Sequence, residues 1–108
     1  GIEELKVVIQ ILEPKRLKIV CEDLKKPLAM ILEEEENRWF RKDEVETLAF
    51  KDVFEIEIPF EKISVKHEQD INLFIEILRD STLIERAPSI GFIRIHIPTV
   101  EFEKIMWL

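Results

Sequence analysis

Glycine, cysteine and tyrosine are scarce or missing in this 108-residue sequence, and each shortage argues against a class of site. The only two glycines, Gly1 and Gly91, cannot build the glycine-rich loop that cradles a phosphate group. The single cysteine, Cys21, cannot form a disulfide within the chain, which favours a reducing compartment. Tyrosine is absent, so the aromatic side chains are seven phenylalanines and two tryptophans.

Long apolar runs are missing as well. No stretch approaches the roughly 18 consecutive apolar residues that span a membrane as a helix. The N-terminal residues lack the basic, apolar and small-residue order of a signal peptide. We therefore expect no membrane partner and a cytoplasmic location.

The charge balance is acidic. The chain has 23 acidic residues against 16 lysines and arginines, a net charge of −7. Binding to a phosphate backbone requires clustered basic residues that release counterions, so nucleic acid is not an expected partner. Glutamate, lysine and isoleucine are abundant while asparagine and glutamine occur only twice each, a composition typical of proteins from hot environments.

The main structural signal in the sequence is the alternation of apolar and polar residues with a period of two. Ile56 and Ile58 alternate with Glu55 and Glu57, as expected of a strand with one buried face. Alternation also marks 6–12, 16–22, 71–79 and 92–97. Further short strand segments cover 28–33, 82–88 and 99–107, with a weaker candidate at 45–50. About eight short strands separated by turn signals predict a single all-β domain over residues 1–108, an antiparallel β-sandwich with one or two short helical turns.

Three local features refine this prediction. Pro59 is expected to end its strand and to open a helical turn over 60–63, because proline lacks a backbone N–H. The polar connection at 79–82 predicts a hairpin, with Asp80 in an unusual backbone conformation. The strand at 71–79 is apolar on both faces and is expected to be central. The predicted core contains Ile56, Ile58, Leu73, Ile75, Ile77, Ile95 and Ile97.

The C-terminal half also has a characteristic order of residues. A strand ends in Ile-Pro-Phe-Glu, a Glu-Arg-x-Pro follows a second strand, another strand ends in Ile-Pro-Thr, and an aromatic closes the chain. The residues concerned are Ile56, Ile58, Pro59, Phe60, Ile63, Glu85, Arg86, Pro88, Ile97, Pro98, Phe102 and Trp107. This order resembles the C-terminal β-domain of glycoside hydrolase family 57 and, more broadly, carbohydrate-binding module family 9 and the DOMON-like sandwiches. Residues 1–50 agree only in having strands, and 64–68 replace a glycine-rich turn.

The resemblance implies an accessory domain at the C-terminal end of a larger enzyme that acts on α-glucans. The catalytic carboxylates of that family lie in a separate barrel, so the domain itself is expected to catalyse no reaction and to need no cofactor. Two roles stay open: support of its own catalytic domain by packing on it, or binding of α-glucan through exposed aromatic rings. The low aromatic content favours the first role.

Trp39 is the best candidate for sugar binding. Its neighbours Asn37, Arg38 and Arg41 could donate hydrogen bonds to sugar hydroxyls while the ring stacks on a pyranose. The alternative is that Trp39 covers the edge of the core. Trp107 is expected to be a plug that pins the last strand.

Other polar groups have simpler explanations. Glu55 and Glu57 share one face of a strand, but no predicted cleft makes them an acid–base pair. The acidic run 33–36 lacks the spacing of a calcium loop and is expected to be solvated. His67 and His96 lack the ligand spacing of a zinc site. We therefore expect no metal centre.

Overall fold

The structure, a computed structural model, describes residues 5–22, 28–49, 54–63, 66, 68–97 and 104–107, with residues 46–49, 54–57, 60 and 104–107 described by their backbone alone. Strands dominate, and they pair antiparallel in a sandwich-like arrangement. The predicted all-β fold class is confirmed.

Nine strands account for most of the described chain. Their bounds are β1 Leu5–Glu13, β2 Leu17–Cys21, β3 Leu28–Glu35, β4 Arg38–Ala49, β5 Phe54–Pro59, β6 Asp70–Arg79, β7 Thr82–Ala87, β8 Ile93–His96 and β9 Lys104–Trp107. A 3₁₀ turn over Phe60–Ile63 follows Pro59, with Glu61 in its first turn, as predicted.

The strands are hydrogen-bonded in the order β7-β6-β1-β2-β3-β4-β5-β9. β6 pairs with β1 along one edge, from Asn72 to Arg79. Its other edge is divided between two strands: β8 pairs with Asp70–Leu73, and β7 pairs with Ile75–Arg79. The prediction that this apolar strand is central is therefore confirmed, and β7 and β8 follow one another along the same side of it.

The buried residues that form one core cluster lie on one face of the sheet, the inner face. Its buried members are Ile9, Ile11, Leu17, Ile19, Cys21, Ala29, Ile31, Val45, Ile58, Ile63, Ile71, Leu73 and Ile97. Of the predicted core residues, Ile58, Leu73 and Ile97 are buried, while Ile75 and Ile95 pack against the core from its margin. Ile77 is half-buried because it lies toward the end of β6, beyond the buried stretch 71–73. The side chain of Ile56 lies outside the described residues. We call the opposite side of the sheet the outer face.

The turns follow from the residues that can adopt positive φ angles. Asp80 and Ser81 join β6 to β7 with φ of 50° and 77°, and Glu36 and Asn37 join β3 to β4 with φ of 51° and 65°. Two successive positive φ angles are those of the type I′ turn that matches the twist of a two-residue hairpin. The predicted hairpin and the role of Asp80 are confirmed.

The region 38–49 departs from the prediction, which placed only a weak strand at 45–50. β4 is one continuous strand of 12 residues. Its register on β3 shifts because Arg41 pairs with Leu32 whereas Asp43 pairs with Ile31, so Lys42 is an extra residue in a β-bulge. A bulge reverses the phase of the alternation, so no single period-2 pattern runs through the whole strand.

Candidate functional site

Trp39 lies on the outer face, near the β3–β4 hairpin. Its backbone pairs with Glu34, and its side chain is half-buried. The Lys18 ammonium lies 4.2 Å from the centroid of the ring, and the Arg16 guanidinium carbon lies 5.9 Å from it. Both cations come from β2 and the turn before it, so the ring is engaged by this chain through cation–π contacts.

Of the three residues predicted to assist Trp39, Arg41 shares the outer face of β4 with it, because the two residues are two positions apart and precede the bulge. Asn37 is exposed in the hairpin turn, and Arg38 is exposed on the strand opposite Glu35. Arg41 forms an ion pair with Glu44 at 2.5 Å. A sugar site at Trp39, Asn37, Arg38 and Arg41 stays a prediction, and it must compete with the cations already over the ring.

We expect maltoheptaose at millimolar concentration to leave the tryptophan fluorescence of the chain unchanged. The reason is that a pyranose would have to displace the Lys18 ammonium in order to stack on Trp39. The measurement is a fluorescence titration of the wild type and of Trp39→Phe, which reports Trp107 alone. A saturable change in the wild type that is missing from Trp39→Phe would contradict this expectation.

The acidic run 33–36 is only partly solvated. Glu33 is half-buried and forms ion pairs with Lys15 and, at 3.6 Å, with Lys42. Glu34 lies 3.9 Å from Arg16. The hydrogen bond from Lys15 lowers the pKa of Glu33, the attraction of both lysines acts in the same direction, and partial burial opposes them. The described residues contain no cluster of three or more metal-ligating side chains.

Glu33→Gln should therefore lower the thermal midpoint slightly at pH 7. A depressed pKa in the folded state means that Glu33 stabilises the fold above its ordinary pKa of 4.5, and that this contribution is lost as the pH falls through the lower folded pKa. The loss at pH 7 should be at most about 1 kcal/mol, the range of exposed ion pairs. The difference in thermal midpoint between Glu33→Gln and the wild type should shrink as the pH is lowered from 7 to 3. Glu36→Gln, an equal charge change in the exposed turn, is the control, and an equal loss in both variants would contradict the assignment.

The predictions for Glu55, Glu57, Trp107 and His67 fall on side chains that the structure does not describe. The side chains of Glu55, Glu57 and Trp107, and the whole of His67, lie outside the described residues. His96 is exposed and its Nδ1 lies 2.8 Å from Asp70 Oδ1, a pairing across β6 and β8.

The feature that stands out in the described residues is an exposed apolar segment. Leu83, Ile84, Ile90, Phe92 and Ile93 expose 49%, 50%, 88%, 46% and 38% of their surface. All five belong to β7, to β8 or to the loop between them, and both strands pair with the same edge of β6. Leu83 shares the outer face with Leu78, whereas Ile93 shares the core face with Leu73. We call these five residues the β7–β8 surface. The other exposed large apolar side chains of the described chain, Leu28 and Phe40, lie elsewhere.

Sequence reasoning missed this surface, although two signals pointed to it. Leu83 and Ile84 are consecutive apolar residues, a departure from the alternation of a strand with one solvated face. Ile90 follows Pro88 and Ser89 and precedes Gly91. Proline, serine and glycine favour a turn, whereas a large aliphatic residue such as isoleucine does not. Ile84 is the extra residue of a β-bulge, since Leu83 pairs with Leu78 and Glu85 pairs with Ile77.

Arg86 holds the loop of this surface. Its Nη1 donates to the Pro88 carbonyl at 2.6 Å and its Nη2 donates to the Gly91 carbonyl at 2.7 Å. The guanidinium carbon also lies 4.0 Å from the centroid of the Phe74 ring on β6. Gly91 has a φ of 79° with open space where a Cβ would lie, so backbone conformation rather than crowding favours glycine there.

Comparison with known proteins adds no relative: no family model, no curated protein and no solved structure matches this chain. The resemblance to the C-terminal domain of glycoside hydrolase family 57 therefore stays a prediction from the sequence. Among the described residues, no helix has the length and apolar character needed to cross a membrane.

Proposed function

We propose that this chain is a non-catalytic accessory domain that docks on a protein partner through the β7–β8 surface. The partner that we propose is the catalytic domain of an α-glucan-acting enzyme of glycoside hydrolase family 57 type. The observation that carries the docking is the exposure of five large apolar side chains between residues 83 and 93. The sequence resemblance supplies the identity of the partner.

A protein surface suits these side chains better than a sugar does. Four of the five are aliphatic, and aliphatic side chains recover free energy only when another apolar surface covers them. Large apolar side chains left exposed in neighbouring segments are a usual mark of a protein interface. A sugar platform needs ring faces, and Phe92 is the one ring in this group.

The local charge also favours a protein partner with an apolar or acidic face. Residues 79–97 hold three arginines, Arg79, Arg86 and Arg94, against two acids, Asp80 and Glu85, in a chain whose net charge is −7. This part of the chain therefore does not share the acidic excess that would repel a carboxylate-bearing partner. Arginine is among the residues that contribute most to the binding free energy of protein interfaces.

One observation favours carbohydrate binding as the second candidate. The exposed ring of Phe92 has the Arg94 guanidinium carbon 5.9 Å from its centroid, and Arg94 Nε donates to Asn72 Oδ1 at 3.1 Å. An exposed ring with hydrogen-bonding groups beside it is the arrangement of a sugar subsite. Maltoheptaose binding that is lost in Phe92→Ala would support this candidate over docking.

The test begins with the coding sequence upstream of the codon for Gly1. The proposal predicts a family 57 catalytic domain there, and its absence would overturn the proposed partner. That catalytic domain and the present chain are then expressed separately and mixed in a calorimeter. We expect one-to-one binding with a negative heat-capacity change, the signature of apolar burial.

The calorimetric result distinguishes the two candidates. Binding of the catalytic domain without binding of maltoheptaose supports the accessory role. Binding of maltoheptaose alone supports the carbohydrate-binding role. If neither binds, the docking function proposed here is wrong.

A further inference from the structure

β7 is an edge strand among the strands that the structure describes. It stands at one end of the strand order and pairs with β6 alone. Every residue of β7 except Arg86 is exposed, and the apolar residues Leu83 and Ile84 expose 49% and 50% of their surface. An exposed apolar edge strand offers unpaired backbone groups to another chain, so it favours self-association unless something interrupts it.

The bulge in β7 changes the spacing of these backbone groups. In the two-residue hairpin, Arg79 and Thr82 form a hydrogen-bonded pair, so the N–H and C=O of the next residue, Leu83, point away from β6. Beyond the bulge, the N–H and C=O of Arg86 also point away, because the alternation continues along β6. These two outward positions are three residues apart, whereas a regular edge presents outward groups at every second residue.

We propose that the bulge at Ile84 prevents β7 from pairing with the β7 strand of a second copy of this chain. An antiparallel copy would have to match its own outward backbone groups to those of Leu83 and Arg86. The extra residue puts the two sets out of step and bends the strand, which is how bulges protect sheet edges. This role concerns the chain alone and does not depend on the proposed docking partner.

The test removes the bulge by deletion of Ile84. The deletion leaves every remaining pair of β6 and β7 in place and brings Leu83 and Arg86 to the regular spacing. Pairing that aligns Leu83 with Arg86 of the second copy then sets Glu85 opposite Glu85 of that copy, and like charges directly opposite are destabilising. The deletion is therefore made in Glu85→Val. The matched control is Glu85→Val with Ile84 retained.

Sedimentation and amide hydrogen exchange give the two readouts. The wild type and the control should stay monomeric, with any self-association weaker than about 1 mM. The deletion variant should self-associate at least about tenfold more tightly, because strand addition supplies main-chain hydrogen bonds. The outward amides of Leu83 and Arg86 gain hydrogen bonds in that dimer. Their exchange should therefore slow as the concentration of the deletion variant is raised, while exchange in β2 stays unchanged.

Three results would overturn this role of the bulge. The first is a folded deletion variant that stays monomeric, and the second is equal self-association of the control. Deletion of Leu83 also gives a regular edge, with Ile84 opposite Leu78, and it replaces the first variant if that one unfolds. The third result needs no variant: slower exchange of the Leu83 and Arg86 amides at high wild-type concentration would show that the edge pairs in spite of the bulge.

Discussion

Replacing Ile90 with aspartate is expected to weaken docking on the partner about 30-fold or more, without changing the fold. The side chain is 88% exposed in the isolated chain, so its replacement removes almost no internal contact. In the complex, the new carboxylate would have to lose its water against an apolar surface, which is costly. A central interface residue contributes about 2 kcal/mol or more, corresponding to this loss in affinity.

Ser89→Asp is the matched control for this prediction. Ser89 is the exposed neighbour in the same loop, and its replacement adds the same charge without removing an apolar side chain. Calorimetry with the catalytic domain should show near wild-type affinity for Ser89→Asp, and both variants should unfold within about 0.5 kcal/mol of the wild type. Equal weakening by the two variants would mean that charge, rather than apolar contact, governs docking.

Leu73→Ala is expected to produce the largest loss of stability. Leu73 is 0% exposed and lies on β6 between Ile11 of β1 and Ile93 of β8. Truncation in a close-packed core removes transfer free energy and leaves a cavity, at a cost of about 2–5 kcal/mol. A loss of this size is comparable with the whole stability of many domains, about 5–15 kcal/mol. Urea unfolding of the wild type and the variant measures it.

Leu83→Ala is the control with the same change of side chain. Leu83 is 49% exposed on β7, so the truncation should cost only about 0.5 kcal/mol. The unfolding midpoints should therefore separate the two leucines clearly. If Leu83→Ala were as destabilising as Leu73→Ala, the β7–β8 surface would be part of the core and not an open surface.

The parts of the fold that could be predicted from sequence are those that depend on local patterns. Alternation marked β1, β2 and β8, because a strand with one buried face repeats every two residues. The β6–β7 turn was predictable from Asp80 and Ser81, since few other residues tolerate the required φ angles. Pro59 marked the end of β5 for a comparable backbone reason.

The rest depends on contacts between residues that are distant in the chain. The bulge at Lys42 depends on the register of β4 against β3, so the sequence pattern alone indicated only the segment 45–50 of this strand. The cations over Trp39 come from β2, and only the pairing of β2, β3 and β4 brings them there. The exposure of Leu83 and Ile84 follows from the position of β7 at the end of the strand order, which their apolar character did not reveal.

The most direct test of the docking proposal is a hydrogen-exchange comparison of the chain alone and bound to the family 57 catalytic domain. The proposal predicts slower exchange on binding in residues 83–93, where the exposed apolar side chains lie. It predicts no change at the β3–β4 hairpin around Asn37 and Trp39. Protection at that hairpin with unchanged exchange in 83–93 would contradict docking through the β7–β8 surface.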